Sequence, residues 1–157
     1  NVAWLEEPLR ADRPWPEWQE LAKHGSTPLA AGENVTKLEG FATAIRSGVL
    51  AVVQPDVAKW GGLSAGLPIA KSILKAGLRF CPHYLGAGIG LLASAHLLAA
   101  SNGNDILEVD ANTNPLRSLT CLPLSNLKNG EIVLSDDPGL GALPDMIALS
   151  EFLVDHR

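Results

Sequence analysis

The amino-acid sequence predicts an α/β fold in which a parallel sheet is built from repeated strand–helix units. Two observations lead to this prediction. Between Asn1 and about Asp110, short apolar runs alternate with longer segments of helical spacing, which is the pattern of such units. The chain has 157 residues, of which 46% are apolar, so a sizeable core can form within about one domain.

Five strands are predicted where the apolar runs are short, at residues 2–6, 28–33, 50–55, 78–83 and 105–109. Four helices are predicted between them. The first has Pro16 in its first turn and ends at Gly25. The second starts with Thr36 and Glu39 in the pattern of a capping box. The third and fourth cover residues 64–75 and 88–100.

The repeating pattern stops after Asp110. Asn129-Gly130 precedes an alternating run, which predicts a hairpin turn, and a turn-rich stretch follows it. We therefore divide the chain into a strand–helix region over residues 1–110 and a C-terminal segment over residues 111–157 that folds back onto another part of the protein.

Charge and cysteine content narrow the class of protein. The formal net charge of -5, without a cluster of Lys and Arg, argues against nucleic acid or an anionic membrane as partner. The longest apolar run, residues 87–100, is shorter than the roughly 20 residues of a membrane span. Two cysteines, Cys81 and Cys121, are too few for a disulfide framework, so we predict a reducing, cytoplasmic location.

An ionisable side chain recurs at the carboxyl end of every predicted strand, at intervals of roughly 25 residues. In (β/α) barrels the active site lies at that end, because the strands converge there and the loops that follow them are free to vary. The recurrence therefore predicts a partial (β/α) barrel over residues 1–110, with an active site formed by Glu6, Glu33, Asp56, His83 and Glu108.

The residue types indicate a divalent metal and an acid–base group. Carboxylates gathered at one point repel one another unless a cation compensates them, and the oxygens of Glu6 and Glu33 suit Mg²⁺. A metal bound to a substrate carboxylate stabilises the enediolate formed when the α-proton leaves. Asp56 can hydrogen-bond one ring nitrogen of His83 and leave the other as general base. Glu108 can donate a hydrogen bond to the substrate if its pKa is raised.

The motifs around these residues resemble those of the enolase superfamily, in its mandelate racemase-like branch. They are "WLEEPL", "AGEN", "QPDVAKWGG", "PHYLGAGIGLLASAHL", "LEVD" and "PGLG", and they extend over nearly the whole chain. The resemblance implies that Glu6 and Glu33 are metal ligands, that Asp56 and His83 form the His-Asp dyad, and that Glu108 is the electrophilic acid. The muconate lactonising branch usually has a lysine at the position of Asp56, so the resemblance disfavours that branch. We interpret Lys59 as a structural loop lysine.

Several parts of the family pattern lie outside the sequence. The family has an N-terminal capping domain, a Lys-x-Lys motif on the second barrel strand and an aspartate metal ligand on the third, and none of these precedes Glu6. The sequence resembles barrel strands four to eight, followed by the C-terminal segment that packs back on the capping domain. It begins with Asn1 rather than Met, as expected of a piece of a longer chain. Such a piece leaves barrel edges unpaired, and we expect a homo-oligomer.

The resemblance implies a Mg²⁺-dependent enzyme that abstracts the proton α to a carboxylate. The small carboxylate substrate is then a sugar acid that is dehydrated or a 2-hydroxy acid that is racemised. Two alternatives stay open. One is a catalytically incomplete fragment or assembly module, which lacks the first metal ligand and the opposing lysine base. The other is a dinucleotide site, because "GAGIG" at residues 86–90 precedes a helix and an acidic residue follows about 20 residues later.

Overall fold

The structure, a computed structural model, describes residues 2–102, 105–121 and 127–154. In these residues four strands form one parallel sheet in sequence order, and a helix follows each strand. The strands are β1 (Leu5–Glu6), β2 (Leu29–Ala31), β3 (Leu50–Val53) and β4 (Arg79–Phe80). The helices are α1 (Trp15–His24), α2 (Leu38–Arg46), α3 (Gly62–Lys75) and α4 (Gly88–Ala100). The prediction of an α/β fold with a parallel sheet is confirmed.

The main core lies between the sheet and the helices that cover its outer face. Trp18 of α1 is 1% exposed, and Phe41 of α2 and Ile73 of α3 are buried beside Phe80 of β4. Burying aromatic and branched side chains of this size stabilises a fold by about 1.5–3 kcal/mol per residue.

Among the described residues, no helix is both long and apolar enough to cross a membrane.

A second, smaller cluster lies on the opposite face of the sheet. Ala30 of β2, Val52 of β3 and Cys81, which directly follows β4, are nearly fully buried and pack against Trp4. Because side chains alternate between the two faces of a strand, the residue two positions after each of these points to the same side. The inner face therefore continues toward the carboxyl ends of the strands through Gly32, Gln54, His83 and Glu6, and it leads directly to the predicted site.

The predicted fifth strand, at residues 105–109, is wrong. That segment has no strand pairing, although it lies beside β4. Asp105 explains the difference, because its carboxylate accepts the N–H of Phe80 at 3.1 Å and also pairs with Arg79 at 2.7 Å. A side-chain acceptor thus takes the place that the carbonyl of a neighbouring strand would occupy.

The predicted capping box of Thr36 and Glu39 is also wrong. Helix α2 begins at Leu38, and its N-cap residue is Lys37, which makes no side-chain capping bond. Lys37 has a positive φ of 66°, so the chain turns sharply at the cap and leaves Thr36 one residue outside the capping position. The predicted bounds of α4 are confirmed, and α3 begins two residues before the predicted start.

Among the described residues after Asp110, α5 (Pro115–Thr120) packs onto α4, and α6 (Met146–Leu149) contacts α5. The Thr120 hydroxyl accepts the N–H of Gly88 at 2.7 Å. The predicted turn at Asn129-Gly130 is confirmed, because both residues have positive φ and the flanking Lys128 and Glu131 form an antiparallel pair. The division of the chain at residue 110 stays a prediction.

Candidate active site

His83 lies at the centre of the cluster and contacts two carboxylates. Its Nδ1 is 2.8 Å from Oδ2 of Asp56, and its Nε2 is 2.7 Å from Oε2 of Glu33. The histidine is 3% exposed and Asp56 is 6% exposed, so their contact is shielded from water. Both ring nitrogens of His83 therefore lie within hydrogen-bond distance of a carboxylate oxygen.

The turn after β3 fixes the orientation of Asp56. Oδ1 of this residue accepts the backbone N–H groups of Ala58 at 2.8 Å and Lys59 at 3.1 Å. The other oxygen, Oδ2, is thereby left to face His83. The backbone supports the same arrangement, because the N–H of His83 donates to the carbonyl of Pro55 at 3.2 Å. The sequence prediction that Asp56 and His83 meet across neighbouring strands matches this geometry.

Glu33 is held from both sides. Its Oε1 accepts from Nζ of Lys59 at 2.9 Å and from Nδ2 of Asn34 at 3.0 Å, while its Oε2 faces His83. Lys59 is therefore more than the structural loop lysine expected from sequence, because it places a positive charge beside the clustered carboxylates. This contact partly offsets the repulsion among the acids.

Glu6 and Glu7 leave the end of β1 toward different partners. Oε2 of Glu6 accepts from the side-chain amide of Gln54 at 2.9 Å and from the Trp4 indole at 3.4 Å. Oε2 of Glu7 accepts from Nδ2 of Asn34 at 3.0 Å, and its buried Oε1 has no hydrogen-bond partner in the described part of the chain. The positive φ of Glu7, 36°, separates the two side chains at this strand end.

Glu108 lies near the same ring nitrogen of His83 that faces Glu33. Its Oε2 is 3.9 Å from Nε2 of the histidine and accepts the N–H of Tyr84 at 3.3 Å. Burial raises the pKa of Glu108 above its ordinary value, and the negative charges of Glu6 and Glu33 raise it further, while the charge of His83 opposes this shift. The structure thus brings Glu108 to the cluster although the strand predicted to carry it does not form.

Sequence reasoning missed Gln54, Asn34 and Lys59. The sequence did contain a signal for Gln54. It stands two positions before Asp56, and side chains two positions apart in a strand point to the same face. Asn34 directly follows Glu33, but no periodicity in the sequence indicates that its side-chain amide reaches Glu7. Each of the three residues donates to a carboxylate of the cluster.

The "GAGIG" glycines pack against protein rather than forming an open cradle. A Cβ at Gly90 would lie 2.2 Å from the Tyr84 ring, and one at Gly88 would lie 2.4 Å from the backbone nitrogen of Cys121. The N–H of Gly88 is also already taken by Thr120. These contacts explain the glycines without a phosphate ligand and remove the support for the dinucleotide alternative.

We predict that Gly88→Val lowers the free energy of unfolding by about 2–3 kcal/mol, because the new side chain meets backbone atoms that cannot move aside. Urea denaturation measures this effect. Gly25→Val is the matched control, since Gly25 has an extended backbone and no atom within 4 Å of its Cβ position. Equal stability of the two variants would contradict the packing explanation.

The acidic residues provide part of a ligand set for Mg²⁺. The carboxylate oxygens of Glu6 and Glu33 are the hard donors that this cation prefers, and the unpartnered oxygen of Glu7 lies in the same region. However, no group of three or more His, Cys, Asp or Glu side chains within the described ranges is arranged to hold a metal ion. The chemistry of the donors fits Mg²⁺, but these residues alone do not complete a coordination shell.

Comparison with known proteins gives a consistent family. Residues 1–148 match the family described as "Enolase C-terminal domain-like". A crystal structure of a mandelate racemase/muconate lactonizing enzyme from Bordetella bronchiseptica RB50 has 57% sequence identity and a TM-score of 0.91 over 96% of this chain. Two curated relatives are D-galactarolactone cycloisomerase of Agrobacterium fabrum, 28% identical over 97% of the chain, and arabinonate dehydratase of Saccharolobus solfataricus, 30% identical over 90%.

These proteins are considerably longer than the present chain. The match covers 42% of the Bordetella protein, 42% of the cycloisomerase and 37% of the dehydratase. The region of similarity includes every residue of the cluster around His83. The chain therefore belongs to the enolase superfamily and, within it, to the mandelate racemase-like branch.

Proposed function

We propose that the protein abstracts the proton α to the carboxylate of a sugar acid or 2-hydroxy acid, with His83 as the general base. The observation that carries this proposal is the buried pair of His83 and Asp56 at the carboxyl ends of the strands. Relatives named as a cycloisomerase of a sugar lactone and as a sugar-acid dehydratase support the substrate class.

Asp56 sets the reactive form of His83. Because Oδ2 of Asp56 faces Nδ1, the neutral imidazole keeps its proton on Nδ1 and presents the lone pair of Nε2. Nε2 now faces Oε2 of Glu33 at 2.7 Å. The histidine must leave this contact before Nε2 can accept a substrate proton.

Glu6 and Glu33 are the residues that would hold Mg²⁺. When bound there, the metal supplies positive charge that stabilises the substrate carboxylate as the α-proton leaves. Lys59 and Asn34 keep Oε1 of Glu33 in place, which restricts the rotation of this carboxylate. Lys59 and Asn34 thus fix one oxygen of Glu33, while its other oxygen, Oε2, can change its binding partner.

Glu108 is the proposed electrophilic acid. A carboxyl group whose pKa is raised by burial keeps its proton at a higher pH than an exposed one. In that protonated form it can donate a hydrogen bond to an oxygen of the substrate carboxylate, whose charge increases as the α-proton is removed. The distance of 3.9 Å between its Oε2 and Nε2 of His83 supports a role for both groups in one reaction.

We favour dehydration over racemisation for the second half of the reaction, because arabinonate, talarate and galactarate dehydratases are among the relatives. Dehydration removes the α-proton and the β-hydroxyl, and the enol formed becomes a 2-keto-3-deoxy acid. The test is to incubate the protein and Mg²⁺ with a panel of aldonic and aldaric acids and to assay this keto acid. Keto acid formation from at least one acid is expected, whereas inversion at the α-carbon without keto acid would overturn the dehydratase assignment.

Glu33→Gln tests the metal assignment. We expect the substitution to weaken Mg²⁺ binding by more than about tenfold, which is about 1.4 kcal/mol, because a neutral amide replaces a charged ligand. Titration calorimetry measures the affinity. Glu131→Gln, in the exposed hairpin turn, is the matched control. Unchanged affinity in the Glu33 variant would contradict its role as a ligand.

The alternative of an incomplete fragment or assembly module rests on the lengths of the relatives. The chain covers less than half of each curated relative described above, and the described residues form only part of a ligand set. In this alternative the cluster around His83 is folded as described, but neither proton exchange nor keto acid formation occurs with any acid.

A further inference from the structure

Gln54 connects two strands that are not neighbours. It follows β3 directly, whereas Glu6 ends β1, and β2 lies between these strands in the sheet. Nevertheless Nε2 of Gln54 donates to Oε2 of Glu6 at 2.9 Å. Gln54 is 3% exposed, so its amide is held in a shielded position.

The glycine at the end of β2 makes this crossing possible. Gly32 occupies the inner-face position between Gln54 and Glu6, and it has no side chain to block the path. The two backbones are also very close, because a Cβ at Gly32 would lie 2.7 Å from the backbone nitrogen of Gln54. Any other residue at this position would bring its Cβ against the backbone of Gln54, and the positive φ of 146° would strain it as well.

We propose that Gln54 is a positioning residue that holds the Glu6 carboxylate by reaching over Gly32. Glu6 only accepts hydrogen bonds when ionised, so the amide nitrogen of Gln54 must be the atom that faces it. A hydrogen bond to an ionised oxygen is stronger than one between neutral groups, and it fixes Oε2. Oε1 of Glu6 then remains as the oxygen available to a ligand.

The effect that Gln54 is expected to have on metal binding rests on the proposed function, in which Glu6 is a Mg²⁺ ligand. Groups that orient a metal ligand typically change metal affinity by about 10–100-fold when they are removed. Gln54→Met keeps an unbranched side chain of similar length but has no N–H group. We therefore expect Mn²⁺, used as a probe of the Mg²⁺ site, to bind about tenfold more weakly to this variant.

The binding experiment is a Mn²⁺ titration of the purified protein followed by electron paramagnetic resonance. Gln19→Met is the matched control, because Gln19 is exposed on α1 and its side chain donates to the carbonyl of Ser47. Weaker binding in the Gln54 variant with unchanged binding in the Gln19 variant is expected. Equal Mn²⁺ affinity in Gln54→Met and the unmodified protein would overturn the positioning role.

A second experiment detects the hydrogen bond between Gln54 and Glu6 in the absence of metal. In ¹⁵N–¹H correlation spectra, the side-chain amide protons of Gln54 should be shifted by the adjacent carboxylate, and Glu6→Gln should remove that shift. Glu7→Gln is the control, because Glu7 pairs with Asn34 instead. Signals of Gln54 that do not respond to Glu6→Gln would overturn the proposal.

The two experiments separate the possible failures. If the unmodified protein binds no Mn²⁺ but the Gln54 signal responds to Glu6→Gln, the proposed metal site is wrong and Gln54 still holds Glu6. If Mn²⁺ binds equally well to the unmodified protein and to Gln54→Met, and the Gln54 signal does not respond to Glu6→Gln, the metal site stands and the positioning role is wrong.

Discussion

His83→Asn is expected to reduce the exchange of substrate α-protons by about 10³–10⁴-fold, the upper range for loss of a general base. Asparagine can still hydrogen-bond Asp56, but it has no group that takes up a proton near neutral pH. Proton nuclear magnetic resonance in D₂O, with Mg²⁺ and a sugar acid that the unmodified protein exchanges, measures this loss.

The matched control for this variant is His24→Asn. His24 lies at the end of α1, is exposed, and contacts only the exposed Glu20 among the pairs that the structure describes. We expect this control to retain full exchange. Exchange at the unmodified rate in His83→Asn, with the fold intact by circular dichroism, would show that another group is the base.

Asp56→Asn is expected to reduce the same exchange by roughly 10³-fold while the site keeps its shape. The structure gives a specific reason. The N–H groups of Ala58 and Lys59 both donate to Oδ1 of Asp56, so the single carbonyl oxygen of the asparagine must occupy that position. Its NH₂ group then faces His83 Nδ1 and forces the proton of the neutral ring onto Nε2, where the lone pair is needed.

The ¹⁵N chemical shifts of the His83 ring measure this change of tautomer directly. When the His83 ring is neutral, we expect its proton on Nδ1 in the unmodified protein and on Nε2 in Asp56→Asn. Asp136→Asn, at an exposed position, should change neither the tautomer nor the exchange rate. The dyad assignment fails if Asp56→Asn exchanges protons at the unmodified rate.

The sequence was sufficient to predict the sheet and the residues that gather at one end of it. Glu6, Glu33, Asp56 and His83 each lie at or just after the carboxyl end of a predicted strand, and these ends meet at one edge of a parallel sheet, so their spacing already implied a common location. The structure brings Glu33, Asp56 and Glu108 to His83 directly, and Glu6 is near enough to Glu108 for its charge to raise the pKa of that carboxyl group. The bounds of α4 were likewise predictable, because apolar spacing extends to both of its ends.

The remaining contacts depend on distances that a sequence does not contain. Glu33 reaches both His83 and Lys59, and this requires the loop after β3 to fold back across the end of β2. Asp105 replaces a strand carbonyl with its side chain, which apolar alternation cannot indicate. Lys37 has a positive φ that no local propensity predicted, and α2 therefore starts further from Thr36 than the capping-box pattern indicates.

The most direct test of the central claim is α-proton exchange by the unmodified protein in D₂O, followed by proton nuclear magnetic resonance on a panel of sugar acids with Mg²⁺. We predict loss of the α-proton signal for at least one acid, because the proposed base His83 is buried against Asp56 at the carboxyl ends of the strands. Retention of every α-proton signal by well-folded protein would contradict the enzymatic function and favour the assembly module.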